Sequence, residues 1–356
     1  MKGCGVVKDI SVVLWGLGAM GSGMARVLAE REGVRIVGAI DRDAMLGEDL
    51  GDGLGLQQEL GVKVKSDPGE VFSETEADIC LIATASFVSE VEDQVLLAVE
   101  NGCNVISIAE EMAYPQASSP EATQNMHKHA VRQGVTILGT GINPGFVLDA
   151  LIIALTGVCT AITSIRAERV NDLSPFGPTV METQGVGTTV KEFEEGLESG
   201  DIVGHVGFLE SMYLIAEALG WELDEVKQTR KPIIAQEDRT GENMTVPDGK
   251  VAGCHHTARG LVDGREVITL EHPQQVDPGA AGVETGDYID IDGTPEISMA
   301  IQPEIPGGIG TIALAVNMIA QVVAAAPGLK TMNDLQIPRA LTGDVRETVK
   351  NFKSIL

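Results

Sequence analysis

The stretch WGLGAMGSGM, residues 15–24, sets four glycines in ten positions directly after the apolar run Val12-Val13-Leu14-Trp15 and before the helix-forming Ala25-Arg26-Val27-Leu28. Gly16, Gly18 and Gly21 spell GxGxxG between a strand and a helix. The first glycine permits a tight turn, the second lets backbone approach a pyrophosphate, and the third lets the helix pack on the strand. Ala19 and Met20 lie where that helix begins, and its first N–H groups point at the phosphates. A second apolar run, Val34 to Ile40, ends in Asp41, twenty residues beyond Gly21, where a carboxylate meets the adenosine ribose hydroxyls. The pattern predicts a dinucleotide site. Arg42 follows Asp41 and can pair with a 2′-phosphate, so NAD and NADP both stay open.

A chain of 356 residues is long enough for two domains with separate cores, and 44% apolar against 22% charged residues describes a globular protein. The 52 acidic and 25 basic residues leave a net charge of −27. Such a surface repels phosphate backbones and anionic headgroups, which argues against nucleic-acid and membrane partners. Five cysteines, at 4, 80, 103, 159 and 254, are odd in number and lack CxxC spacing, as expected of a reduced, cytoplasmic setting. The N-terminal MKGCGVVKDI has no long apolar core of a signal peptide. The longest mainly apolar segment, Phe146 to Val158, is read as too short to span a bilayer and carries Asp149.

Strand-like and helix-like segments alternate through residue 145, which predicts an α/β, Rossmann-type doubly wound parallel sheet over 1–145. From Phe146 the pattern changes: a helix over Phe146–Thr156 started by Pro144, a strand over Ile162–Val170, and helices over Thr188–Gly200 and His205–Leu219. Strand runs then dominate 223–303. Asp263-Gly264 and Asp292-Gly293 read as two type I′ hairpin turns. An α+β substrate and dimerisation domain with an open, largely antiparallel sheet is expected over 146–305. Residues 306–356 are expected to be a helical segment packing back on the first domain.

In open α/β sheets ligands lie at the carboxyl ends of the strands, and three further strand ends carry suitable chemistry. Thr84-Ala85-Ser86 offers small residues for close approach of the dinucleotide. Glu110-Glu111 sets two carboxylates after a buried strand, where one can act as a general base beside a nicotinamide or simply cap the next helix. Thr140-Gly141-Ile142-Asn143 offers a hydroxyl to substrate and an amide to cofactor or substrate. In the second domain Arg169 and Asn171 share one face of a strand; Arg169 can bind a substrate carboxylate bidentately or pair with a neighbouring acid. Gly185 and Gly187 suggest a hinged covering loop around 181–189. Cys254-His255-His256 lacks a partner cluster at metal spacing, so no metal is expected. His205 and His272 are read chiefly as structural.

The stretches WGLGAMGSGM, GAIDRD, NVISIAEEMAYP, LGTGINPGFVLD, RVNDLSPFGPTVMETQGVGTTV, LEHPQQV, GVETGDYI and PEIPGGIGTIA together resemble the 2,4-diaminopentanoate dehydrogenase family. That family is related to dihydrodipicolinate reductase and grouped with native amine dehydrogenases. The resemblance implies NAD(P)-dependent oxidative deamination of a small diamino acid by a homodimer, with a catalytic glutamate at the position of Glu110 or Glu111, Glu110 being favoured. Simple amines, or a sensing role without turnover, are the alternatives, although neither a DNA-binding motif nor a basic patch supports a sensor.

Overall fold

The first strand is buried from Ile10 to Leu14, with Trp15 half-buried at its end, as befits a central parallel strand. The structure, a computed structural model, describes residues 8–242 and 244–354; Cys4 and the rest of MKGCGVV lie outside them. The chain proceeds through β1 (Ile10–Trp15), α1 (Ala19–Ala29), β2 (Val34–Ile40), α2 (Leu50–Gly53), β3 (Val64–Lys65), α3 (Pro68–Glu74), β4 (Ile79–Ile82) and α4 (Val88–Glu100). It continues with β5 (Asn104–Ser107), a 3-10 turn (Glu110–Ala113), α5 (Pro120–Gln133) and β6 (Thr136–Gly139). Next come α6 (Ala150–Thr156), β7 (Ala161–Asp172), α7 (Pro178–Thr183), α8 (Val190–Ser199), α9 (Phe208–Leu219), β8 (Glu225–Ile234), β9 (Arg239–Thr240) and β10 (Thr245–Val246). The remainder is β11 (Val251–Val262), β12 (Arg265–Gln275), β13 (Gly286–Thr294), β14 (Ile297–Ile301), α10 (Gly307–Ala324), β15 (Gly328–Lys330) and α11 (Val345–Lys353).

Two compact units emerge: Met1–Phe146 with Gly307–Leu356, and Val147–Pro306. The first holds a seven-stranded parallel sheet in the order β15-β6-β5-β4-β1-β2-β3, the doubly wound arrangement with one added edge strand. Val13, Ile82, Val95, Val105 and Ile137 belong to its core. The Asp78 carboxylate accepts from both the backbone N–H and the hydroxyl of buried Ser11, tying the entry of β4 to β1. Among the described residues the helix long and apolar enough to cross a membrane is α10, not the segment Phe146–Val158, whose helical part is Ala150–Thr156. Its 18 residues pack on α1, α11 and β4–β6, so it serves as a core helix of this unit. Pro144 does not start a helix either: α6 begins at Ala150, where the Asp149 carboxylate caps the free N–H.

The second unit is built on a six-stranded sheet, β14-β13-β7-β12-β11-β8, in which only the β7–β12 pair is parallel. Asp263 and Gly264 have φ of 50° and 72°, the two left-handed residues that a type I′ hairpin requires. Asp292-Gly293, by contrast, is no hairpin turn. It lies inside β13 at a register shift against β7, where Gly293 passes so close to Ala161 that a Cβ would stand 2.4 Å from its carbonyl oxygen. Part of the expected loop 181–189 is helical, as α7 runs to Thr183.

Candidate functional site

Five consecutive strands of the first sheet, β2, β1, β4, β5 and β6, deliver the candidate residues at their carboxyl ends. At β1 the turn is set by backbone crowding. Gly16 has φ +92°, and a Cβ there would meet the Ala83 carbonyl at 2.5 Å; at Gly21 it would stand 1.8 Å from the Gly16 carbonyl. At Gly18 it would meet nothing within 4 Å. The backbone at Gly18 is thus open to an approaching group, and it begins α1, which has no side-chain cap and no acid in its first turn. Ala19 and Met20 are the first two residues of that helix. Uncapped N–H groups beside an open glycine fit a pyrophosphate.

At the end of β2, Asp41 is held by the same turn. One carboxylate oxygen accepts from Leu17 N–H at 2.6 Å, and the other from Asp43 and Ala44 N–H at 2.9 and 2.8 Å. Partial burial pushes its pKa upward, but the backbone N–H groups of Ala44, Asp43, Leu17 and Arg42 outweigh that and hold it below the usual carboxylate value. Each oxygen keeps lone-pair capacity for a ribose hydroxyl. Arg42 is exposed and pairs with exposed Asp43 at 3.2 Å.

The loops after β4 and β5 are joined. The Glu111 N–H donates to the Ser86 carbonyl at 3.2 Å, and the Glu111 carboxylate accepts from Val88 N–H, the first free donor of α4, at 2.8 Å. Burial raises the pKa of Glu110, and the neighbouring Glu111 charge adds to the rise; its own N–H and Ser86 oppose it. Thr84 is exposed and donates to Gln94, whereas Ala85 is half-buried against the core. The turn carrying Glu110 presses on β6 at Gly139, where a Cβ would fall 1.8 Å from the Met112 carbonyl oxygen. Sequence reading missed Gly139 because only the packed partner reveals the crowding.

After β6, Thr140 corrects an expectation. It is buried, and its hydroxyl lies 3.3 Å from Met332 Sδ, so it is engaged within the unit rather than offered to substrate. Asn143 differs: both its amide oxygen and nitrogen are buried without a partner among the described residues. A buried amide with free donor and acceptor suits a ligand carboxamide or amine.

In the second unit Arg169 is not a free carboxylate receiver. Its guanidinium is buried and bonded to the Asp287 carboxylate at 2.5 Å and to the Ile305 carbonyl. The bidentate clamp expected for substrate is therefore occupied by the protein itself. Asn171, on the same face, leaves its Oδ1 buried and unpartnered. Across the adjoining strands lie His272, whose Nδ1 hydrogen-bonds the Arg169 carbonyl at 2.6 Å, and His256, whose Nε2 meets Gln228 at 2.9 Å. Phe208 and His205 pack against them with ring centroids 4.8–4.9 Å apart. Burial lowers the pKa of His256 to about 2 and of His272 to about 3, with the nearby Arg230 and Arg169 charges adding to the effect. On the opposite face His255, Glu168 and Glu271 bring ligand atoms within 4.8 Å of one another, the cross-strand partners that the sequence does not reveal. Arg166 already supplies positive charge to Glu271 at 2.9 Å.

The 2,4-diaminopentanoate dehydrogenase C-terminal domain model matches residues 146–351, and the dihydrodipicolinate reductase N-terminus model matches residues 10–107. A 2,4-diaminopentanoate dehydrogenase from Acetoanaerobium sticklandii is 46% identical over 98% of this chain and 100% of its own. An amine dehydrogenase from Streptomyces virginiae is 26% identical over 93% of this chain and 98% of its own. The structure of an amine dehydrogenase from Mycobacterium smegmatis superposes with a TM-score of 0.84 at 30% identity, covering 94% of this chain and 98% of that one. The chain accordingly belongs to the 2,4-diaminopentanoate dehydrogenase family and is a nicotinamide-dependent oxidoreductase acting on amine donors.

Proposed function

We propose that the chain oxidatively deaminates 2,4-diaminopentanoate to 2-amino-4-oxopentanoate and ammonia, with Glu110 as general base. The observation that supports the role of Glu110 is its setting: a half-buried carboxylate of raised pKa at the end of β5, two strands from the dinucleotide turn after β1, while Glu111 is spent on capping α4. The substrate follows from the 46% identity to the Acetoanaerobium sticklandii protein. A place in ornithine breakdown, a cytoplasmic setting and a homodimer belong to the same reading through family membership.

A bound nicotinamide supplies the hydride acceptor. The residues of the chain must do the rest. An ammonium cannot release hydride from its carbon until it loses a proton, and Glu110 takes that proton. Loss of hydride leaves a substrate iminium; Glu110 passes its first proton to solvent, takes one from the water that adds to the iminium carbon and returns it to the amine nitrogen, after which loss of the hydroxyl proton and carbon–nitrogen cleavage release the ketone and ammonia. Asn143 orients the cofactor carboxamide or the reacting amine through its unpartnered amide. The Arg169–Asp287 pair stiffens the sheet of the second unit.

The test is reduction of NAD⁺ or NADP⁺ by 2,4-diaminopentanoate, followed at the reduced-nicotinamide absorbance, with Glu110→Gln and Glu111→Gln beside the wild type. Loss of turnover in Glu110→Gln alone supports the assignment. Turnover with simple amines but none with the diamino acid overturns the substrate; full activity of Glu110→Gln overturns the base.

A further inference from the structure

We propose that Glu168, His255 and Glu271 form a binding site for a divalent transition-metal ion of the zinc type, which clasps three adjacent strands of the second unit's sheet. Strand register brings the three together. Glu168 on β7 and Glu271 on β12 are direct cross-strand partners in the parallel pair. On β11, Thr257 stands opposite Glu271, and His255 lies two residues along, on the same face and within diagonal reach of a long side chain. Arg169, His256 and His272 fall on the other face of the same strands, so the group stands apart from the buried histidine cluster.

Each of the three residues offers one ligand atom, and these atoms lie within 4.8 Å of one another. His255 Nε2 is a buried atom with no hydrogen-bond partner among the described residues, and it stands 3.9 Å from Glu271 Oε2, beyond hydrogen-bond length. A buried ring nitrogen in that state calls for a ligand. Bonds of about 2.0–2.2 Å around a tetrahedral ion set the ligand atoms roughly 3.5 Å apart, so shifts of about 1 Å at the ends of two flexible glutamates close the site. An imidazole beside two carboxylates suits Zn²⁺ or Co²⁺, whereas Ca²⁺ and Mg²⁺ favour oxygen alone. A water completes the fourth position. The rival for Glu271 is Arg166, whose Nη2 lies 2.9 Å from the carboxylate. Its side chain is 61% exposed against 10% for Glu271, so the guanidinium can withdraw into solvent at small cost when an ion arrives.

The experiment titrates the full chain, tag-free and stripped with a chelator, with Zn²⁺ and with Co²⁺, and compares wild type with His255→Gln, Glu168→Gln and Arg166→Ala. Calorimetry should show one tight Zn²⁺ per chain, Co²⁺ should give the visible absorption of a four-coordinate ion, and Zn²⁺ at about 100 times Kd should raise the melting temperature by roughly 5 °C. His255→Gln and Glu168→Gln should each weaken Zn²⁺ binding at least about tenfold. Arg166→Ala keeps all three ligands and removes the competing charge, so it should tighten binding roughly threefold; it serves if the ligand variants do not fold. Absence of tight binding by wild type overturns the proposal. So does equal binding by His255→Gln and wild type, which would assign the ion to scattered carboxylates of a chain with net charge −27, and so does weaker binding by Arg166→Ala.

Discussion

The Glu111 carboxylate accepts the Val88 N–H at 2.8 Å, so the second of two adjacent glutamates caps the helix that begins one strand away. Glu111→Ala should cost roughly 1 kcal/mol of stability, the usual price of a lost cap. It should also lower the acid limb of the pH–rate profile, because a neighbouring negative charge has been removed from Glu110. Chemical denaturation together with kcat/KM between pH 5 and 8 checks both. An acid limb that stays in place or rises would contradict the Coulombic part.

The glycine turn separates folding from binding. Gly18 has space around it and φ −63°, so Gly18→Ala should melt near the wild type while weakening NAD binding at least tenfold, since the added methyl occupies the approach path of a pyrophosphate. Gly21→Ala drives a Cβ against the Gly16 carbonyl and should lose about 1–3 kcal/mol of stability. Thermal melts and fluorescence titration with NADH distinguish the two outcomes.

Asp41 is tied into that turn as an ionised carboxylate, and Arg42 stands off into solvent. A 2′-phosphate brought to the same place meets like charge. NAD⁺ should therefore be used at least tenfold more efficiently than NADP⁺, and Asp41→Ser should narrow that ratio by roughly tenfold. Initial rates with both cofactors decide it.

The histidines predict acid lability. His256 and His272 have folded pKa values of about 2 and about 3, well below the ordinary 6.5, because both are buried. Below pH 6.5 the unfolded chain binds protons that the folded chain refuses, so stability is complete above that pH and falls as pH drops toward 3. The slope approaches about 1.4 kcal/mol per pH unit for each histidine. Denaturation midpoints measured from pH 7.5 to 4.5 should decline, and His272→Gln should flatten the decline. Insensitivity over this range would mean that the ring cluster opens to solvent.

Asp287 compensates the buried Arg169 guanidinium. Removing one member of a buried pair strands the other, and Asp287→Ala should cost about 3–5 kcal/mol. Arg169→Ala should likewise act first on stability, and the double variant should lose less than the sum of the two. A wild-type melting curve for Arg169→Ala with a raised KM would restore Arg169 as a substrate ligand.

Much of the dinucleotide half is legible in sequence because its signals are local. The first strand run, the Gly16-Gly18-Gly21 spacing, the second strand run and Asp41 all lie between Val12 and Asp41, and a parallel strand buried on both faces writes itself as an apolar run. The Asp263-Gly264 hairpin is legible for the same reason: a two-residue turn needs two left-handed residues in sequence. Asp292-Gly293 carries the same letters and makes a bulge, because there the deciding partner is β7, 130 residues away. Thr140 and Arg169 read as ligand contacts for the like reason that Met332 and Asp287, which engage them, lie far along the chain.

The sequence by itself determined the parallel nucleotide-binding sheet, the turn that admits a cofactor and the presence of two carboxylates at the end of β5, since backbone conformation and local spacing are written in adjacent residues. Only the tertiary structure decided that Glu111 caps α4, that Asn143 keeps an unpartnered amide, and that Arg169 is already paired. Each of those outcomes depends on hydrogen-bond partners and desolvation contributed by distant segments, and neither quantity exists until the chain has folded.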